Sequence, residues 1–165
     1  MIAGEITFYS VVVFAHVIAT VAGLGLVFSY PILWRAARSR FPRSLPYLFA
    51  TQDRIGKRVI GPAVGLILLT GLYMVITEDG GFGFDALFVQ VGLPIAVYLF
   101  LVGPLFFSPT EAKLSELAER DIAASAGGEV SFSEEFEEVW RRQMLVARVS
   151  ITLIAVVVFF MTVKP

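Results

Sequence analysis

His16 is the only histidine in a chain of 165 residues, and it interrupts twenty-nine uncharged positions from Ile6 to Trp34. An ionisable side chain in so apolar a run is costly and turns toward a bundle interior. Three uses suit it. A neutral imidazole can hydrogen-bond to a neighbouring helix, ligate a metal or haem iron, or relay a proton. The first is the commonest, because polar groups in membrane helices pair across helices. One ligand does not complete a metal site, and the sequence holds no metal-spaced cluster, so no metal site is assigned. As a cofactor ligand His16 points to haem b or a porphyrin. The second axial position would then come from another copy of the chain or from a residue such as Met74. Met74 and Met161 otherwise read as packing residues.

The basic residues Arg54, Lys57, Arg58 and Arg148 form a second candidate, a site for anionic lipid headgroups or another anionic ligand. The acidic run Glu134 to Glu138 reads as the solvated first turn of a helix, with a partner-docking face as the alternative. The sequence contains no phosphate loop, no Ser/His/Asp set and no paired carboxylates within an apolar run, so whether it is an enzyme stays open. Cysteine is absent, which excludes disulfides and thiolate chemistry. No nucleic-acid partner is expected.

The elements that position these residues follow from composition. The chain is 57% hydrophobic and 16% charged, with mean hydropathy +0.79. Soluble domains carry about 25% charged residues, so a bilayer is the implied solvent. About 20 apolar residues of helix cross a hydrocarbon core. We expect an all-α, four-helix transmembrane bundle forming one domain over 1–165, with spans near 7–34, 59–77, 86–107 and 144–163. The long apolar start after Glu5 does not resemble a cleaved signal peptide. Gly23 shares a helix face with His16 and Thr20, and Gly61 and Gly65 make a GxxxG pair; all three glycines are candidate helix-packing points.

The connection 35–58 holds seven Lys or Arg, and Pro42 and Pro46 imply a turn followed by a short surface helix. The acidic, glycine-rich stretch 78–85 reads as a tight turn, with Asp85 capping the next helix. Pro94 should kink the third span. Ser108-Pro109-Thr110-Glu111 has the pattern of a capping box opening a helix that ends at Gly127-Gly128. Ser133 opens a last helix of about thirty residues, half outside the bilayer and half the fourth span. The connection 108–143 thus becomes a helical hairpin between spans three and four. Basic residues concentrate in the two long connections, which the positive-inside rule places in the cytoplasm with both termini outside. The expected location is the bacterial cytoplasmic (inner) membrane.

Several motifs are familiar. The first-helix histidine, Leu68-Leu69-Thr70-Gly71-Leu72-Tyr73 and the terminal Met161-Thr162-Val163-Lys164-Pro165 together resemble a bacterial predicted integral membrane family of unknown function. More distantly, His16-Val17-Ile18-Ala19, Gly23-Leu24 and Pro31 are similar to the first helix of copper-resistance D membrane proteins and of HemJ-type protoporphyrinogen oxidases. The latter are haem-associated four-helix proteins, so the resemblance implies a haem or porphyrin role for His16. This chain departs from them in having no second histidine and no lysine within a span. Three functions remain open: a haem- or porphyrin-interacting protein, a non-catalytic accessory subunit of a larger membrane complex, and a permease for a small solute or copper. A homo-oligomer or a place in a complex is expected in each case.

Overall fold

A computed structural model of the chain describes residues 6–77 and 80–163. Glu5, Glu78, Asp79, Lys164 and Pro165, which entered the reading above, lie outside them. Seven α-helices occur among the described residues: α1 Phe8–Val27, α2 Tyr30–Arg40, α3 Leu45–Ile55, α4 Gly61–Thr77, α5 Leu87–Val102, α6 Ser108–Ala124 and α7 Glu134–Val163. They join into four long helical rods, Phe8–Arg40, Pro42–Thr77, Leu87–Ala124 and Glu134–Val163, each long and apolar enough to cross a membrane. The fold class is therefore the all-helical four-span bundle that the hydropathy implies.

The rods outrun the bilayer. At 1.5 Å per residue, the 33, 36, 38 and 30 residues of the rods reach roughly 45–57 Å, against a hydrocarbon core of about 30 Å. The excess gathers at one end, where α2, α3, α6 and the first half of α7 build a second, charged-surfaced helical layer. Its core is Trp34, Leu45, Phe49, Leu114, Leu117, Ala118, Phe136 and Trp140, all buried. The hairpin of α6 and α7 is thus half of a four-helix unit. On the membrane side, Leu24, Val64 and Ile154 meet near mid-span, with Leu99 of α5 packed against them. A third cluster, Val75, Phe88 and Val89, closes the opposite end.

Local chemistry explains most boundaries. Thr7 caps α1, its hydroxyl accepting from Ser10 N at 3.2 Å. Pro31 sits at the start of α2, where its missing donor costs nothing. Phe41 leaves the helical region and Pro42–Ser44 forms a 3-10 turn before α3, the turn and surface helix expected of this stretch. Ser133 starts α7, accepting from Phe136 N at 3.3 Å, and the thirty-residue helix follows without a break. Ala126 and Gly127 take positive φ and end the α6 segment.

Two expectations need correction. Ser108-Pro109-Thr110-Glu111 does not open a helix: a π-helical turn, Gly103–Phe107, carries α5 into α6, and Ser108 has ordinary helical dihedrals. Pro104 lies in that turn, so the backbone disruption is absorbed by π geometry and the rod continues. A matching π turn, Gly56–Ile60, joins α3 to α4 just before Pro62. Asp85 does not cap α5; the cap position falls on Ala86, without a side-chain bond. The candidate packing glycines differ in their surroundings. A Cβ on Gly23 would lie 2.8 Å from Ala63 Cβ, whereas one on Gly65 would meet Phe100 at an ordinary 3.6 Å. One on Gly61 would meet only Gly56 O, of its own rod, at 3.2 Å. The small residues that seat α1 against α4 are Gly23 and Ala63.

Candidate functional site

The α1–α4 contact sets the environment of His16. Thr70, on α4, is 9% exposed, and its hydroxyl oxygen stands 2.6 Å from Leu66 O and 2.8 Å from His16 Nδ1. The Thr70 hydroxyl and His16 Nδ1 thus share a hydrogen bond between α4 and α1, whose direction follows the ring tautomer. Thr20 turns its hydroxyl back to His16 O at 2.8 Å. Gly71 makes room for the ring: a Cβ there would lie 3.4 Å from His16 Cε1. The imidazole is held in place by α4.

His16 lines a cavity of about 420 Å³ between α1, α4, α5 and α7. The walls are overwhelmingly apolar, with Thr20 and Met74 near His16 in sequence register and Met161 and Thr162 contributed by α7. Met161 Cε packs onto Gly92, where a Cβ would come within 2.5 Å. Tyr9, Phe82 and Phe84 line the part of the cavity toward the end opposite the charged layer. Among the described residues no Lys, Arg, Asp or Glu lines it. A large apolar pocket with a few placed polar groups is the usual form of a small-molecule site. His16 is the nitrogen-ligand side chain on this lining, which offers no cation among the described residues.

The basic cluster falls elsewhere. Arg54, Lys57 and Arg58 line a second cavity of about 580 Å³ in the charged layer, between α3 with its π turn and α6. Arg148 lies exposed on α7 and lines neither cavity. Four acids line the same space: Asp53 on α3, beside the cations, and Glu111, Glu116 and Glu119 on α6. Asp53 is committed, bonding Lys57 Nζ at 2.7 Å and accepting from Ser108 Oγ at 2.6 Å. Ser108 therefore ties α6 to α3 in place of capping a helix.

Glu111 is only 4% exposed. Burial, and then the charge of Asp53, push its carboxyl up to about 8, with Lys57 and the nearby Gln143 amide opposing. Gln143 is fully buried on α7 beside the Glu111 carboxyl, and among the described residues Gln52 Nε2 and Tyr30 Oη find no hydrogen-bond partner. Gln52 does accept from Trp34 Nε1. A second acid, Asp121, is likewise buried but satisfied. Burial raises its carboxyl, yet the Ser133 N–H and hydroxyl, both at 2.8 Å, bring it below the usual range.

Sequence reasoning missed Thr70 and Glu111 as site residues. Thr70 carried a signal, since a hydroxyl in an uncharged span needs a partner. Glu111 did too: it lies at i−3 and i−7 from Leu114 and Ala118, on the apolar stripe of α6, where a solvated capping glutamate does not belong. The acidic run of α7 is partly engaged, with Glu137 paired to Arg38 and Glu135 to Arg120 at 3.0 Å. Among the described residues no group of three or more His, Cys, Asp or Glu could hold a metal ion.

Fold and cavities define a small four-span membrane protein with an intramembrane apolar cavity and a charged helical layer at one end. The chain belongs to the family described as predicted integral membrane protein (DUF2269), whose model matches residues 10–165. No curated protein and no solved structure matches it. Similarity to copper-resistance D or HemJ-type proteins is not shown.

Proposed function

We propose that the chain is a membrane-embedded binding protein for a hydrophobic cofactor of the haem or porphyrin class, with His16 as its nitrogen ligand. The observation that carries this reading is the anchored imidazole. Thr70 bonds Nδ1 of a ring that lines an apolar cavity, and with Nδ1 as donor Nε2 would carry the free lone pair. Metal-binding histidines characteristically donate their other ring N–H to such an acceptor, which orients the ring. Met74 or Met161 is available as a soft second ligand from the same cavity. Haem bound there would supply one-electron chemistry. The residues of this chain would orient the ring, exclude water and keep the imidazole neutral.

We further propose that the charged layer faces the cytoplasm and both termini face outward, across a bacterial inner membrane. Support comes from the basic residues gathered in that layer. Anionic headgroups would then surround Arg148 and the exposed arginines of α2 and α3.

Titration of purified protein with haemin and with iron-free protoporphyrin tests the cofactor reading. Saturable haemin binding that weakens by about 10–100-fold in Thr70→Val is expected, the usual cost of losing a residue that orients a ligand. Binding that ignores both His16→Ala and Thr70→Val would remove it. A second reading, an accessory subunit, draws on the charged layer, a packed helical unit with its own aromatic core outside the apolar bundle. Purification from native membranes as a free monomer or homodimer would contradict that one. The permease reading is weaker, because the membrane cavity offers a solute few polar groups.

A further inference from the structure

Opposite charges line the charged-layer cavity without meeting across it. On one wall stand Arg54 and Arg58, on the other Glu111 and Glu119. Among the described residues the only ion pair within this cavity joins Lys57 to Asp53, four positions apart on the same rod. Glu111, only 4% exposed, lines this space with no cation within ion-pair distance among the described residues, and the buried Gln143 amide is its polar neighbour from α7. Holding a buried carboxyl without a cation beside it is costly once it ionises.

An anion alone would leave Glu111 and Glu119 without a partner, because Lys57 is already shared with Asp53, and Glu116 pairs with Lys113 outside the cavity. A simple cation would leave the two guanidinium groups unused, although their planar forks match phosphate oxygens. We propose that this cavity binds a zwitterionic aminoalkyl phosphate, its ammonium at Glu111 and its phosphate at Arg54 and Arg58. The location favours a membrane source. Arg58 directly precedes the uncharged run Val59–Thr77 and Ser108 directly follows the apolar α5 rod, so the cavity lies where headgroups sit. Phosphatidylethanolamine and free phosphoethanolamine carry the same chemistry. Choline lipids lack the N–H donors that a buried carboxylate needs, and glycerol lipids lack the cation.

The test uses the full chain in nanodiscs of equal phosphatidylethanolamine, phosphatidylcholine and phosphatidylglycerol, with retained lipid counted by native mass spectrometry. A preference for the ethanolamine lipid of about tenfold or more over the other two is expected, the scale of one charge-assisted hydrogen bond. Glu111→Gln, nearly isosteric, should erase that preference while the thermal unfolding midpoint shows the protein folded. Arg58→Gln, at an exposed site, should lower retention of all three lipids together. Free phosphoethanolamine is measured by calorimetry on delipidated protein. Binding there that depends on Glu111, with no lipid preference, would assign the same chemistry to a soluble ligand. The proposal is overturned if neither form binds selectively, if phosphatidylglycerol is preferred, or if Glu111→Gln leaves the preference intact.

Discussion

At the scale of single residues, two polar groups in apolar surroundings decide what this protein offers chemically. His16 is anchored at Nδ1 by the Thr70 hydroxyl, which also bonds Leu66 O. Glu111 is the converse case, an acid on an apolar stripe with its charge unmatched. Its carboxyl, pushed up to about 8 from an ordinary 4.5, makes a direct statement about stability. The folded protein binds this proton more tightly than the unfolded chain, so the contribution is fully present below about pH 4.5 and is lost as pH rises toward 8. Asp53 and Lys57 from α3 and its π turn, Tyr30 from α2, Gln143 from α7, and Glu116 and Glu119 on its own rod surround it. Thermal unfolding should show wild type losing stability across that window relative to Glu111→Gln. Identical slopes for the two proteins would mean that Glu111 is not the group responsible.

At the scale of elements, the sequence was legible where helix physics is local and obscure where it is tertiary. The cap at Ser133, the stop at Gly127, the turn near Pro42 and the four apolar spans are set by neighbours in the chain, and each was readable. The continuity of α5 into α6 was not. Ser108-Pro109-Thr110-Glu111 is a sound capping pattern, but the π turn before it and the Asp53 carboxylate opposite claim Ser108 for another purpose. Helix packing likewise depends on the partner. A GxxxG pair marks a helix face that permits close approach, and the partner decides whether that face is used. Here α1 brings Gly23 against Ala63. Gly23→Leu should therefore force α1 away from α4 and cost about 1–3 kcal/mol as an overpacked contact, whereas Gly61→Ala should cost less. Detergent unfolding of the two variants measures the difference; equal losses would contradict this assignment of the interface.

At the scale of the whole molecule, the four rods serve two layers at once. In the apolar windows of the rods at most 22% of residues are buried within the chain, and in the third rod only 6%, so the outer surface is left to lipid or to other proteins. The charged layer instead buries two tryptophans and two phenylalanines from α2, α3 and α7. Arg38 stacks near Trp140, 5.1 Å from the ring centre, and pairs with Glu137, tying α2 to α7 at the rim. Truncating Trp140 to alanine should cost about 3–5 kcal/mol, as for a large core aromatic. Limited proteolysis should then find cuts in α2, α3 and α6, while the membrane rods stay protected. Equal resistance in both proteins would show that the charged layer does not depend on this core.

The central claim is that the apolar cavity holds a chromophore through His16, and one absorption spectrum tests it. Protein is extracted gently from native membranes beside the His16→Ala variant. A Soret band in the first that is absent from the second is the expected result. A featureless spectrum from well-folded wild-type protein, or a band that survives the substitution, would contradict it.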